Sequence, residues 1–357
     1  MNKGTNLISE IGKYFKENDA TSAMNKIMKI IRTLNFSEKR LFGEESRCNC
    51  KYSQLQVLQL LLLFPCFMIK NAFNYSVSSL CGIADCGKDV FYRFLSREDY
   101  DWRNILINIT TQLWRKTLAN TERDDKTPIC LMVDDTDYPK RGIQTEMIGK
   151  VFSHVEHKMI LGFKGLFLGI TDGATQMLMD FCLVGERGKN GMYNLKQKQL
   201  DARFTKERDK DSHTAKRIKE YDESKITLMI EMIKRLIARK IHFDYILADS
   251  WFACAEVIKF ITSRHIKCHY LGMIKMGKTK YHYNRKDYTA KALVALFDHP
   301  KKGRKYSRSL GCYYVTVDVE FAGRKVRLFF TKRNKKSDWN ALITTNTELE
   351  FKEAYRI

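Results

Sequence analysis

The residues with the clearest chemical potential are carboxylates that close short apolar runs. Residues 129–133 lead directly into Asp134 and Asp135, and residues 243–248 lead into Asp249 and Ser250. An apolar run ending in polar residues is the pattern of a buried strand that delivers side chains at its tip. Carboxylates on adjacent strand tips suit Mg²⁺, which takes hard oxygen ligands, often one or two carboxylates completed by phosphate and water. Two such ions about 3.5–4 Å apart activate the attacking oxygen and stabilise the leaving oxygen of a phosphodiester displacement. Spacing alone leaves a second reading open. Asp135 and Asp249 lie 114 residues apart, and each can be an ordinary turn residue.

Other chemistry-bearing patterns are weaker. Gly185-Glu186-Arg187-Gly188-Lys189 has its glycines too close for a phosphate-binding G-x-x-x-x-G-K loop, and no Ser or Thr follows Lys189. His154 and His157, three residues apart near an expected strand, read as polar loop residues before they read as ligands. Cys48 and Cys50, or Cys81 and Cys86, do not make the C-x-x-C pairs of a zinc knuckle. No G-x-S-x-G elbow is present.

The elements that must position the carboxylates follow from periodicity. Residues 1–125 keep helical spacing, with Ile105, Leu106, Ile109, Leu113 and Trp114 behind Asp101 as a cap. Within them, residues 78–86 and 88–95 predict two short helices. These fit a helix-turn-helix offering Lys88 and Arg93 to DNA, and equally an ordinary helical bundle. After Thr127 the period shortens. Strands are expected at 129–133, 161–171 and 176–184, the last two joined by the turn signal Asp172-Gly173. A charged stretch at 194–225 precedes an apolar helical face from Ile226 to Ile237. A strand at 243–248, a helix at 252–264 and a strand at 269–274 complete a mixed α/β sheet with both Asp-bearing tips at one edge.

Residues 277–337 break the alternation and read as a β-rich insertion, after which 338–357 return to the core. The domain expectation is therefore a helical region at 1–125, a core at 126–276, the insertion at 277–337 and the return. Charge sharpens this division. The 357 residues carry 63 Lys and Arg against 41 Asp and Glu, and residues 264–338 hold 20 of the former against 5 of the latter. A concentration of that sign favours a phosphate backbone as partner. Lys301, Lys302, Arg304, Lys305, Arg324 and Lys325 are the candidate contacts. With 44% hydrophobic and 12% aromatic residues the chain is neither disordered nor fibrous. Its most apolar run, residues 55–69, is short and broken by Gln56, Gln59 and Pro65, which excludes a membrane span there. Ten scattered cysteines fit a reduced, intracellular setting.

The run Asp134-Asp135-Thr136-Asp137-Tyr138-Pro139-Lys140 resembles the D-D-T-x-x-x-K signature of the insertion-sequence-four family of DDE transposases. Residues Ser153-His154-Val155-Glu156-His157-Lys158 and Leu161-Gly162-Phe163-Lys164 resemble the approach to that family's second strand. Ile246-Leu247-Ala248-Asp249-Ser250-Trp251 resembles its second catalytic segment. The resemblance covers roughly residues 50–357. It implies a ribonuclease-H-like core with a β-rich insertion, DNA transposition by hydrolysis and strand transfer, and two Mg²⁺ ions that Mn²⁺ can replace. Asp135 would be the first ligand and Asp249 the second, with Asp134, Thr136 and Lys140 auxiliary. The partners implied are double-stranded DNA, as element ends and target, and a second copy of the chain, in the cytoplasm at the nucleoid.

The family's third carboxylate lies in Y-x-x-R-x-x-x-E-x-x-x-x-x-x-K, just after the insertion. With Tyr355 as the motif's Tyr, the Glu would fall beyond Ile357. Glu348, Glu350 and Glu353 lack the flanking Tyr, Arg and Lys in register, so the third carboxylate is unassigned. The expectation is a transposase chain cut off before its catalytic Glu, with a non-catalytic DNA-binding relic or regulator as the alternative.

Overall fold

The computed structural model describes residues 22–357 apart from 23, 24, 26, 27, 30, 47, 48, 79, 83, 123, 125, 126 and 187–191. The chain forms two compact units, one of Met1–Thr117 with Arg208–Lys216 and one of Leu118–Glu207 with Arg217–Ile357. Cys48 and Arg187 to Lys189, singled out above, lie outside the described residues.

The first unit is helical, as its periodicity predicts. Among the described residues its helices include α1 (Glu38–Phe42), α2 (Gln54–Leu63), α3 (Ala72–Tyr75), α4 (Lys88–Leu95) and α5 (Trp102–Asn120). Local chemistry sets their ends. Ser53 and Gln56 close a reciprocal capping box on α2, and the Asp101 carboxylate accepts the Asn104 N–H at 3.0 Å to start α5. The core is aromatic, with Phe64, Tyr75 and Phe91 ring centroids 4.9–5.6 Å apart.

The helix expected at 78–86 does not form; its described residues are turn and coil. The Tyr75 hydroxyl donates to the Ala84 carbonyl at 2.5 Å, and the Ser78 hydroxyl donates to the Tyr75 carbonyl at 2.6 Å. Those side chains take up carbonyls, and Gly82 weakens helix formation further. A bundle, not a pair of helices around a turn, is what the sequence builds here.

The second unit is organised by one sheet. Its strands are β1 (Cys130–Pro139), β2 (Gly149–Ser153), β3 (Lys158–Thr171), β4 (Gln176–Val184), β5 (Tyr245–Ala248), β6 (His269–Ile274), β7 (Lys280–Tyr283), β8 (Lys286–Thr289), β9 (Lys305–Ser307), β10 (Cys312–Phe321), β11 (Arg324–Lys332) and β12 (Asn340–Thr344). Between and after them in the chain lie α6 (Gln197–Asp201), α7 (His213–Lys219, its first four residues part of the first unit), α8 (Lys225–Ala238), α9 (Ala255–Ile261), α10 (Ala290–Phe297) and α11 (Phe351–Ala354). The strand order is β2-β3-β1-β5-β6-β12-β11-β10-β7-β8, with β4 also on β3 and β9 on β10. The pairs β1–β5 and β5–β6 are parallel and the other pairs antiparallel.

Parallel neighbours require a crossover. Part of it here is α8, whose Leu228, Met229, Met232, Ile233 and Leu236 are buried. The expected β3–β4 turn is present: Asp172 Oδ1 accepts the Ala174 and Thr175 N–H groups, and Gly173 takes φ 88°.

Three features differ from the sequence reading. The edge strand β2 carries no long apolar run and escaped it. β1 continues past its carboxylates to Pro139, because the 14-residue β3 pairs with it throughout. The insertion holds a helix, α10, among its strands, and β10–β12 extend the core sheet instead of forming a separate layer.

Candidate functional site

The two Asp-bearing strands are neighbours. β1 and β5 pair in parallel from Cys130–Tyr245 to Val133–Ala248, so Asp134 and Asp249 each stand one residue past the last pair. Alternation then sorts the carboxylates by face. Leu131, Val133 and Asp135 share the face of Leu166 and Leu168, both solvent-free. Asp134 lies on the opposite face with Cys130 and Met132, opposite Phe167. Tyr245 and Leu247 on β5 pack with Cys130, and Asp249 follows the strand as its first unpaired residue. Asp134 and Asp249 are both exposed, whereas Asp135 is half-buried on the face opposite Asp134.

Asp135 is already occupied. Its Oδ2 accepts the Lys225 ammonium at 2.7 Å, and both side chains are 22% exposed. Lys225 is the first residue of α8, behind the Ser224 cap. A cation there opposes the helix dipole and costs about 0.3–1 kcal/mol, so the placement serves the carboxylate and not the helix. The same ammonium lies 5.8 Å from the Trp251 ring centroid, and Lys275 stands 5.4 Å from it. The Trp251 backbone N–H donates to Asp249 Oδ1 at 2.9 Å, tying the exposed indole's residue to the second carboxylate. Beneath them the Tyr270 hydroxyl is buried without a hydrogen-bond partner. Burial first, and the Asp249 charge second, push its ionisation well above the ordinary phenol range.

The acidic residues near the chain's last helix lie elsewhere. β12 runs antiparallel to β6, carrying the chain back to the end of the sheet where β1 and β5 begin. There Glu348 and Glu353 line a cavity of about 570 Å³ with Thr127, Pro128, Tyr245 and Arg356. Glu350 and Glu353 form the capping box of α11. None of the three reaches the tips that bear Asp134 and Asp249. Among the described residues, no three His, Cys, Asp or Glu side chains gather into a metal-holding group.

The remaining candidates separate into free and committed side chains. Lys301, Lys302, Lys305, Arg324 and Lys325 are exposed. Arg304, also a candidate phosphate contact, is half-buried. It donates to Asp298 Oδ1 at 2.9 Å and packs 5.3 Å from the Tyr313 ring centroid. Asp298 also accepts Lys332 at 2.8 Å and Trp339 Nε1 at 3.2 Å. In the first unit Lys88 is exposed over the Phe73 ring, and Arg93 lines a cavity of about 530 Å³ with Lys51, Tyr52 and Arg97. Thr136 is exposed on β1, while the Lys140 ammonium lies over the Tyr138 ring at 4.5 Å. His154 and His157 are exposed in the β2–β3 turn, as loop residues would be. Lys225, Trp251 and Lys275 went unrecognised in the sequence. The available signals were a lysine at a helix start and an aromatic two residues after Asp249.

No protein of curated function matches the chain. A piggyBac transposase synaptic complex with hairpin DNA aligns at a TM-score of 0.37 and 12% identity, over 76% of this chain and 47% of that one. The chain thus spans about half the length of that transposase. The NurA nuclease from Sulfolobus solfataricus aligns at a TM-score of 0.28 and 10% identity, over 74% of this chain and 82% of that one. Among the described residues no helix is long and apolar enough to cross a membrane. The sequence profile of the DDE superfamily endonucleases matches residues 74–285, a stretch that contains both β1 and β5 with their aspartates, and the chain belongs to that family.

Proposed function

We propose that the chain is a DNA transposase of the insertion-sequence-four type, cutting phosphodiesters with water and joining strands through the freed 3′-hydroxyl. One observation carries the reading: Asp134 and Asp249 each follow the last registered pair of two parallel strands, and both are exposed. The order β4-β3-β1-β5-β6, antiparallel on one side of β1 and parallel on the other, supports a ribonuclease-H-like core. The donor set suits a hard divalent cation such as Mg²⁺, with Mn²⁺ as substitute, since both groups are exposed carboxylates. When bound, such an ion polarises a phosphoryl oxygen and lowers the pKa of water.

The chain's own residues supply the rest. Asp134 and Asp249 hold the ion, in place of the Asp135 and Asp249 pair read from the sequence, while Asp135 holds Lys225. Lys225 and Lys275 present ammonium groups to the phosphates of the strand being cut. The exposed insertion lysines hold the duplex by its backbone. The element's two ends are brought together by a homodimer, in the cytoplasm at the nucleoid.

The test is nicking of DNA bearing the element's ends in Mg²⁺ or Mn²⁺. Metal-dependent cleavage that disappears in Asp134→Asn and Asp249→Asn, with DNA binding retained, is the expected outcome. A second reading, a DNA-binding chain without cleavage, is favoured by the position of Glu348, Glu350 and Glu353 at the other end of the sheet. Intact binding with no nicking at any metal concentration would select it.

A further inference from the structure

We infer that the two basic loops tied together by Asp298 form a surface for unpaired nucleic acid, with Tyr306 as the ring on which a base stacks. The inference goes beyond the proposed function and does not depend on which residues hold a metal.

Residues 299–306 and 333–338 are separate in sequence, and Asp298 joins them. It accepts Arg304 Nη1 at 2.9 Å, the Lys332 ammonium at 2.8 Å and Trp339 Nε1 at 3.2 Å. Arg304 lies within the first stretch, and Lys332 and Trp339 bracket the second. Each stretch then offers three exposed cations. They are Lys301, Lys302 and Lys305 in one and Arg333, Lys335 and Lys336 in the other, against a single acid, Asp338. The committed cations thus hold the loops together, and the exposed ones are left as a like-charged set. Like charges gathered in this way repel one another and favour a polyanion across them.

Charge alone does not choose between a duplex and a single strand. Tyr306 does. It directly follows Lys305 and is 54% exposed. Tyr313 stands opposite it in the β9–β10 pair, with ring centroids 4.9 Å apart at 56°. The Arg304 guanidinium in turn packs 5.3 Å from the Tyr313 ring centroid. The Tyr306 ring is therefore braced from within the sheet while much of it meets water. A scattered exposed aromatic needs no explanation. One braced by a second ring, beside loops that carry six exposed cations, has both parts of a single-strand site: a π-face for a base and positive charge for the backbone. In a duplex the base faces are stacked on each other, so the ring has no base to receive. A braced side chain also gives up little freedom when a base stacks on it.

The experiment is fluorescence anisotropy of the full chain with end-labelled oligo-dT of about 15 nucleotides, and with a blunt duplex of the same length. EDTA is present throughout, so that nothing is cut, and thermal melting follows the fold. Tyr306→Ala should weaken oligo-dT binding about tenfold and leave duplex binding unchanged. Tyr306→Phe, which keeps the ring and loses only the hydroxyl, should bind both as wild type does. In Tyr306→Trp, oligo-dT should quench fluorescence beyond the quenching seen in wild type, and the duplex should not; this reads stacking without removing a side chain. Replacing Lys301, Lys302 and Lys305 by Gln should flatten the salt slope for oligo-dT by about 0.7 per lost contact. The inference is overturned if Tyr306→Ala weakens both ligands equally or neither, or if Tyr306→Phe loses as much as Tyr306→Ala. Displacement of oligo-dT by polyglutamate of matched charge as readily as by unlabelled oligo-dT would also overturn it, since the surface would then read charge alone. Failure of metal-dependent nicking bears on the aspartates and leaves these binding outcomes as they are.

Discussion

The two halves of the sheet use charge differently. In β1, β5 and β6 the pairing is parallel, β1 and β5 being joined across more than a hundred residues, and the tips of β1 and β5 expose Asp134 and Asp249. In β7–β12 the pairs are antiparallel and mostly local, and the excess basic charge is divided in two. Arg304 and Lys332 converge on Asp298, and Arg327 forms a two-pronged pair with Asp318 at 2.6 and 2.8 Å. Lys301, Lys302, Lys305, Arg324 and Lys325 stay exposed. A basic stretch is therefore not a uniform binding face, because each cation that anchors a hairpin is withheld from phosphate.

The strongest way to break this comparison is at the tips. Asp249→Asn should lower metal-dependent nicking by at least about 10³-fold, since several kcal/mol of charge stabilisation go with the ion. DNA affinity should change little, as a filter-binding titration beside the nicking assay would reveal. Comparable loss of both would mean that the tips hold the fold rather than the chemistry.

Next comes the anchored half. Asp298→Ala leaves the buried Lys332 ammonium without its carboxylate and should cost about 3 kcal/mol in denaturant unfolding. The same network has a pH signature. Burial pushes the Asp298 carboxyl up, but Lys332, Arg304 and Trp339 outweigh it and hold it below the usual range. A depressed folded value means the stabilisation is complete above the unfolded value, about pH 4, and is lost as pH falls through the folded value. Melting temperatures recorded from pH 6 to 2.5 should fall less steeply in Asp298→Asn than in wild type. Parallel curves would remove Asp298 from the account.

A smaller effect separates free from committed cations. Replacing Lys301, Lys302 and Lys305 by Gln should flatten the slope of log affinity against log salt by about 0.9 for each phosphate no longer neutralised. Arg304→Gln should leave that slope unchanged while lowering the melting temperature. Equal slopes for the two variants would erase the distinction. The smallest change is expected at the far end of the sheet. Glu353→Ala removes the acceptor of the Glu350 N–H and should cost about 0.5–1 kcal/mol without altering nicking. A loss of nicking there would return the third carboxylate to α11.

Much of this molecule is legible in its sequence because the signals are local. Apolar runs marked β1, β3, β4, β5 and β6, Asp172-Gly173 marked a hairpin turn, and the apolar face from Ile226 to Ile237 marked α8. The Asp-Asp-Thr run resembled a DDE transposase signature, and the chain belongs to the DDE superfamily endonucleases. What lay beyond the sequence was set by pairing partners. The expected helix at 78–86 depended on Tyr75 leaving nearby carbonyls free, and its hydroxyl does not. Arg304 resembled its neighbours until β11 and Trp339 brought Lys332 and the indole to the same Asp298. Asp134 and Asp135 are adjacent and chemically identical, so composition and spacing do not rank them. Only the pairing of β1, with a period of two residues, puts them on opposite faces and gives Asp135 to Lys225 while Asp134 stays exposed, because consecutive strand residues must face opposite sides of the sheet.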